Sequence, residues 1–184
     1  MTYGRNAMRG KGEINVFMRT KNAGHVWLDI RMPDGRAERI DFGPDRALLG
    51  GAVGQMNMGS QFKNTPDHYR WDFLNCGAID YGMVYNWLVA FKAGGVTTSR
   101  IATARNYSLF LQNCAATAMT ALNAGSPELF PLTERVWLPK DVRTICNKAF
   151  TTLAAPSSKE YYRTNKEDPY WGRGAHYKFV EGIR

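Results

Sequence analysis

The chain has 184 residues, of which 44% are hydrophobic and 22% charged, so it suits one domain with its own core and is too short for two. Its 24 Lys and Arg against 16 Asp and Glu give a net charge of +8, which favours an anionic partner such as a cell-wall polymer, nucleic acid, phospholipid surface or acidic protein. The 18 Gly and 8 Pro predict many turns and argue against a long helical bundle or coiled coil.

Signals for membrane insertion, export and metal binding are all weak. The longest apolar run is far shorter than the roughly 20 residues of a membrane-spanning helix, and residues 1–12 are basic with no apolar stretch behind them. We therefore expect no transmembrane segment and no signal peptide. Cys76, Cys114 and Cys146 form no CxxC pair and have no histidine at ligand spacing, so we expect no disulfide framework, metal site or cofactor.

Alternating apolar residues in the first quarter of the chain predict an antiparallel meander. The predicted strands cover residues 14–18, 25–32 and 37–42, with turns at 21–24 and 33–36. Residues 43–67 are rich in Gly, Asn and Pro and predict a long excursion from the sheet, which often borders a site.

The rest of the chain predicts one more strand and three helices. The strand covers residues 69–74, and the helices cover 78–92, 114–122 with a stop signal at 123–125, and about 139–150. We expect an α+β fold in a single domain over residues 1–184, with a core from about 14 to 155. Residues 156–184 are a basic, aromatic C-terminal tail.

Cys114 lies where a nucleophile would be well placed. Asn113 is a good N-cap, so Cys114 becomes the first residue of a helix, where free N–H groups and the helix dipole favour a thiolate. Ala115, Ala118 and Met119 belong to the expected buried stripe of this helix, together with Leu122, while Cys114 lies on another flank. The alternative is a small buried side chain, which is what most free cysteines are.

His25 and Asp41 are candidates for a base and an orienting acid. Pairing Leu28 with Ile40 keeps the apolar faces of two strands together and makes His25 and Asp41 diagonal neighbours, roughly 7–8 Å apart between backbones. A carboxylate at that distance can orient an imidazole and stabilise its charged form. Asp29 competes for this role because it lies on the same face as His25, and all three could also be ordinary solvent-facing residues.

Three segments carry a resemblance to a known family. They are GHVWL at residues 24–28, DFGP at 41–44 and YSLFLQNCA at 107–115. Together they resemble the circularly permuted NlpC-like branch of the papain-fold cysteine hydrolases, in which the histidine strand precedes the cysteine helix. Within that branch, the chain most resembles the amidase or peptidase effectors of bacterial type VI secretion systems, in order and spacing from about residue 14 to residue 125.

The resemblance implies a papain-like fold with a small antiparallel sheet packed against helices and a nucleophile at a helix N-terminus. It assigns the nucleophile to Cys114, the general base to His25 and the orienting position to Asp41. The oxyanion would be held by the Cys114 backbone N–H and a second donor, for which Tyr107 and Gln112 are both candidates. Asn113 would support this site.

The function implied is a cysteine hydrolase that cleaves an amide bond through an acyl-enzyme. The resemblance suggests peptidoglycan peptides as substrate, in the periplasm of a target cell. It also suggests a secretion-apparatus component and an immunity protein as partners, the latter acidic on electrostatic grounds. An acyltransferase, a lipid or protein deacylase, or a protein deamidase would use the same Cys and His.

A non-enzymatic module that binds nucleic acid or protein through charge is a further alternative, with the aromatic tail around residues 170–174 as its platform.

The remaining cysteine and histidine residues have plainer interpretations. Cys76 is expected to be structural, Cys146 to be a core residue, and His68 and His176 to be surface histidines.

Overall fold

The computed structural model describes residues 12–45, 52–74, 77–96, 106–108, 112–132, 138–153 and 176–179. Within these ranges the chain forms eight strands and three helices, so the fold is α+β as expected. The strands are β1 (Glu13–Arg19), β2 (His25–Arg31), β3 (Ala37–Ile40), β4 (Gly43–Pro44), β5 (Ala52–Gln55), β6 (His68–Leu74), β7 (Asn106–Tyr107) and β8 (His176–Phe179). The helices are α1 (Tyr81–Lys92), α2 (Cys114–Gly125) and α3 (Pro139–Leu153).

The main sheet has the strand order β3-β2-β1-β6-β8 in the described part of the chain. β3, β2, β1 and β6 are antiparallel to their neighbours, whereas β8 pairs with β6 in parallel. The predicted pairing of Leu28 with Ile40 is confirmed. β4, β5 and β7 form a second, smaller antiparallel sheet.

One face of the main sheet packs against the helices. Its strands alternate as predicted, so Ile14, Val16 and Leu28 are fully buried on this face. The Trp71 indole N–H donates to Asn147 Oδ1 of α3 at 2.8 Å, which ties the sheet to that helix. On the other face, Phe17 and Trp27 stack with ring centroids 5.3 Å apart.

Helix α2 lies at the centre of the molecule. Asn113 caps it by accepting a hydrogen bond from the Ala116 N–H at 2.8 Å, so the helix begins at Cys114 as predicted. The expected buried stripe is present, and Thr117 and Ala121, which lie on the same flank of the helix as Cys114, are fully buried as well. A helix made of small and apolar residues all round can be enclosed between the sheet and the other helices.

Two glycines allow close contacts between elements that position the residues of the site. A Cβ on Gly125 would lie 2.5 Å from Val84 Cγ2 and 2.7 Å from the Asp80 carbonyl oxygen, so this glycine lets α2 pack against α1. Gly24 has a φ of +76° in the turn before β2, and a Cβ there would lie 2.9 Å from Pro139. The start of α3 therefore packs on the turn that presents His25.

Some boundaries differ from the sequence predictions. α1 begins at Tyr81 rather than near residue 78, because Asp80 caps it by accepting from the Met83 N–H at 3.1 Å. β3 ends at Ile40, and Asp41 forms a parallel bridge with Asn57 instead of continuing along β2.

Cys76 and residues 170–174 lie outside the described residues. No helix in the described ranges is long and apolar enough to cross a membrane.

Candidate active site

The thiol of Cys114 opens onto a cleft with a volume of about 800 Å³. Cys114 is only 6% exposed, yet it lines this cleft together with His25, Tyr107 and Asn113. Its position as the first residue of α2 places the sulfur at the positive end of the helix dipole. A thiol that is largely enclosed but reaches a cleft can meet a substrate.

His25 joins Cys114 to Asp41. The His25 Nε2 lies 2.6 Å from Asp41 Oδ1, and the Cys114 side chain is close enough to the imidazole to raise its pKa. Because Asp41 is bonded to Nε2, Nδ1 is the ring nitrogen that remains for the thiol. Asp41 is completely buried and the His25 side chain is 12% exposed, so the relay Asp41–His25–Cys114 is shielded from water except at the cleft.

The same contacts explain the charge of His25. Burial lowers the pKa of the imidazole. Hydrogen bonding and charge from Asp41 and Cys114 have the opposite effect, and they exceed the effect of burial, so the pKa of His25 rises to about 9. Burial raises the pKa of Asp41, but hydrogen bonds from His25 and Ser60 outweigh it and hold the pKa of this carboxyl below its ordinary value. The pair is therefore an imidazolium and a carboxylate at neutral pH.

Ser60 is a site residue that the sequence analysis missed. Its backbone N–H donates to Asp41 Oδ2 at 2.7 Å, and its hydroxyl donates to Asp41 Oδ1 at 2.9 Å. The Met58 N–H also donates to the Asp41 carbonyl oxygen at 3.1 Å. The excursion over residues 43–67 was expected to border a site, but no spacing within it singles out Ser60.

Asp29, the competing acid, has a different partner. The Arg39 guanidinium donates to both carboxylate oxygens of Asp29, from Nε at 2.5 Å and from Nη2 at 2.6 Å. The structure therefore brings Asp41, and not Asp29, to His25.

Tyr107 and Gln112 occupy different positions relative to the thiol. The Tyr107 side chain lies beside Cys114, close enough for the side chain and the backbone of Cys114 to affect the pKa of its hydroxyl. Burial and the nearby Cys114 charge raise the pKa of Tyr107 above its ordinary value, so the phenol stays neutral and can donate. Gln112 is fully buried and does not line the cleft, and its backbone exchanges two hydrogen bonds with Ser108. Of the two candidates, Tyr107 is the one beside the sulfur.

His68 was expected at the surface, and that expectation is wrong. It is 5% exposed, and its Nδ1 lies 2.9 Å from the Thr65 hydroxyl. The ring is covered by Phe62 from the excursion, with centroids 6.0 Å apart. His68 nevertheless lines the same cleft as Cys114.

Cys146 is the other cysteine among the described residues. Cys146 is completely buried in α3, as expected of a core residue, and burial raises the pKa of its thiol. The described residues contain no cluster of three or more His, Cys, Asp or Glu side chains that could hold a metal ion. His176 begins β8, and the expectation that its side chain lies at the surface falls outside the described part of the structure.

Comparison of the chain with protein-family models, with curated proteins and with solved structures finds no match. The site is therefore interpreted from its geometry. A thiol in a cleft, an imidazole that can exchange a proton with it, a buried carboxylate behind the imidazole, and a neutral phenol beside the thiol are the groups that acyl transfer requires.

Proposed function

We propose that the protein is a cysteine hydrolase that cleaves an amide bond through an acyl-enzyme. The observation that supports this most strongly is the continuous contact from Asp41 through His25 to Cys114, which ends at the wall of a cleft. Buried carboxylate–imidazole pairs also occur without catalysis, but here the imidazole meets a thiol at a helix N-terminus.

The residues divide the reaction between them. His25 already carries a proton at neutral pH, so the Cys114 sulfur attacks the amide carbonyl carbon as the thiolate of a thiolate–imidazolium pair, and His25 then donates its proton to the departing amine. Asp41 holds the ring orientation and stabilises the imidazolium. The Cys114 N–H and the Tyr107 hydroxyl hold the negative oxygen of the tetrahedral intermediate. A water molecule, deprotonated by His25, then releases the acyl group from the thioester.

The cleft lining favours a peptide over a long acyl chain. Many of its lining residues are polar, including Asn22, Ser60, Gln61, Thr65 and Asp67. A site for fatty acyl chains would be a largely apolar groove. This supports an amidase or peptidase above the acyltransferase and deacylase alternatives.

The resemblance to the permuted NlpC-like branch supports a more specific assignment. The strand that begins with His25 precedes the helix that begins with Cys114, which is the order in that branch. We accordingly propose peptidoglycan peptides as the substrate, delivery into the periplasm of a target bacterium by a type VI apparatus, and an acidic immunity protein as partner. The net charge of +8 is compatible with an anionic wall and an acidic partner.

Toxicity in the periplasm tests this proposal. The protein is exported to the periplasm of a bacterium as wild type, Cys114→Ala, His25→Ala and Cys146→Ala, with an unexported wild type beside them. We expect lysis only when the protein is exported and both Cys114 and His25 are present. Cys146→Ala is the matched control, because it removes a thiol that does not reach the cleft.

Purified sacculi identify the bond. We expect wild type, but not Cys114→Ala, to release peptides whose masses report cleavage of one stem or cross-link amide. A folded Cys114→Ala protein that remains as toxic as wild type would contradict the hydrolase and favour a charge-driven binding module.

A further inference from the structure

The cleft beside Cys114 has an excess of positive charge. Arg19, Lys21 and Lys63 line it, against Asp67 as the one carboxylate among its lining residues in the described ranges. The Lys21 Nζ lies 3.7 Å from Asp67 Oδ2, so Lys21 and Asp67 largely compensate each other. Within the described residues no ion pair engages Arg19 or Lys63, and both are exposed at the cleft.

Arg19 lies next to the proposed general base. In the antiparallel register it is directly opposite His25 on β2 and directly opposite His68 on β6. Residues opposed in this way project from the same face, with Cβ atoms about 4.5–5.5 Å apart. Arg19 therefore projects at the same edge of the sheet as His25.

Lys63 lines the same cleft as Arg19. Burial lowers the pKa of His68, the Asp67 charge opposes this, and the charges of Arg19 and Lys63 lower it further, so both cations lie close enough to act on one ring. The neutral His68 adds no charge of its own. Arg19 and Lys63 thus line one cleft with His25 and Cys114, and neither has an ion-pair partner among the described residues.

We propose that Arg19 and Lys63 bind a free carboxylate that the substrate carries beside the scissile amide. A guanidinium matches a carboxylate with two parallel hydrogen bonds, and an ammonium adds a point charge. The protein would then select peptides with an unmodified carboxylate over the same peptides with that carboxylate amidated. This inference rests on the proposed hydrolase.

Matched muropeptides test the selection. The substrates are purified stem peptides that differ only in whether the side carboxylates of their acidic residues are free or amidated. Wild type is compared with Arg19→Gln, Lys63→Gln and the double variant. Arg31→Gln is the control, because Arg31 is an exposed arginine at the opposite end of β2.

We expect wild type to favour the free carboxylate by about tenfold to a hundredfold in kcat/KM, as for a lost hydrogen bond to a charged group. Arg19→Gln and Lys63→Gln should slow cleavage of the free-carboxylate peptide and leave the amidated one almost unchanged, so that the preference collapses. Arg31→Gln should keep the preference. A merely structural effect of either substitution would slow both peptides equally.

Several outcomes would overturn the proposed carboxylate site. They distinguish failure of this site from failure of the proposed hydrolase. Equal rates of wild type on both peptides, or an intact preference in the double variant, would exclude the carboxylate site while cleavage that needs Cys114 still stands. Arg19-dependent hydrolysis of phosphatidylglycerol vesicles in place of the peptides would assign the cations to a lipid phosphate. Failure to cleave either peptide would overturn the hydrolase and this inference together.

Discussion

The His25 side chain holds a proton more tightly in the folded protein than it would in an unfolded chain. Burial opposes this, but contacts with Asp41 and Cys114 prevail and raise its pKa from 6.5 to about 9. A group whose pKa is higher in the folded state stabilises it fully below the unfolded pKa, and this stabilisation disappears as pH rises through the folded pKa. The loss therefore falls between pH 6.5 and about 9.

We predict that the free energy of unfolding of the wild type falls by about 3 kcal/mol over this pH range, because each unit of pKa shift corresponds to about 1.36 kcal/mol. Urea unfolding at pH 6 and pH 9 measures the difference. His25→Gln should flatten the dependence, since glutamine does not titrate. An equal loss in both proteins would show that other groups cause it.

Ser60 is expected to act through Asp41. We predict that Ser60→Ala lowers kcat about threefold to tenfold, because it removes one hydrogen bond to the carboxylate and leaves the backbone donor in place. Asp41→Asn should lower kcat by about a hundredfold or more, since the imidazolium loses its counter-charge. Ser60→Thr is the control that keeps the hydroxyl, and steady-state kinetics on sacculi-derived peptides would compare the three. If Ser60→Ala equals wild type, the backbone N–H alone positions Asp41.

Among the elements, the contact between α1 and α2 depends most directly on a single position. We predict that Gly125→Ala lowers the free energy of unfolding by about 1–3 kcal/mol, because its Cβ would lie 2.7 Å from the backbone oxygen of Asp80 and one helix must shift. Gly77→Ala is the matched control, since nothing lies within 4 Å of its Cβ. Urea titrations measure both, and equal midpoints would mean that the helices relax without cost.

Long periodic elements could be predicted from the sequence, and short or loop-borne ones could not. β1, β2 and α2 follow from apolar alternation and from the Asn113 cap. The two-residue strands β4 and β7 are too short for any period. Ser60 lies near Asp41 because the excursion folds back, and the His68 ring contacts Phe62 of the excursion and Trp27 of β2. Such contacts depend on tertiary packing that no local pattern records.

At the scale of the whole molecule, the fold places the thiols of Cys114 and Cys146 in different environments. We predict that iodoacetamide modifies Cys114 at least tenfold faster than Cys146 in the folded protein, because Cys114 reaches the cleft while burial raises the pKa of Cys146. Mass spectrometry of the peptides measures each site separately. In urea the two rates should converge, and equal rates in the folded protein would contradict the burial of Cys146.

The order of β2 and α2 along the chain has a consequence for the timing of activity. His25, Asp41 and Ser60 all precede Cys114, and the donor Tyr107 also comes before it. A nascent chain would thus carry the complete proton-handling machinery with no nucleophile until α2 begins to emerge. On the proposed function, any product of premature termination or of cleavage upstream of α2 would lack the nucleophile and could form no acyl-enzyme.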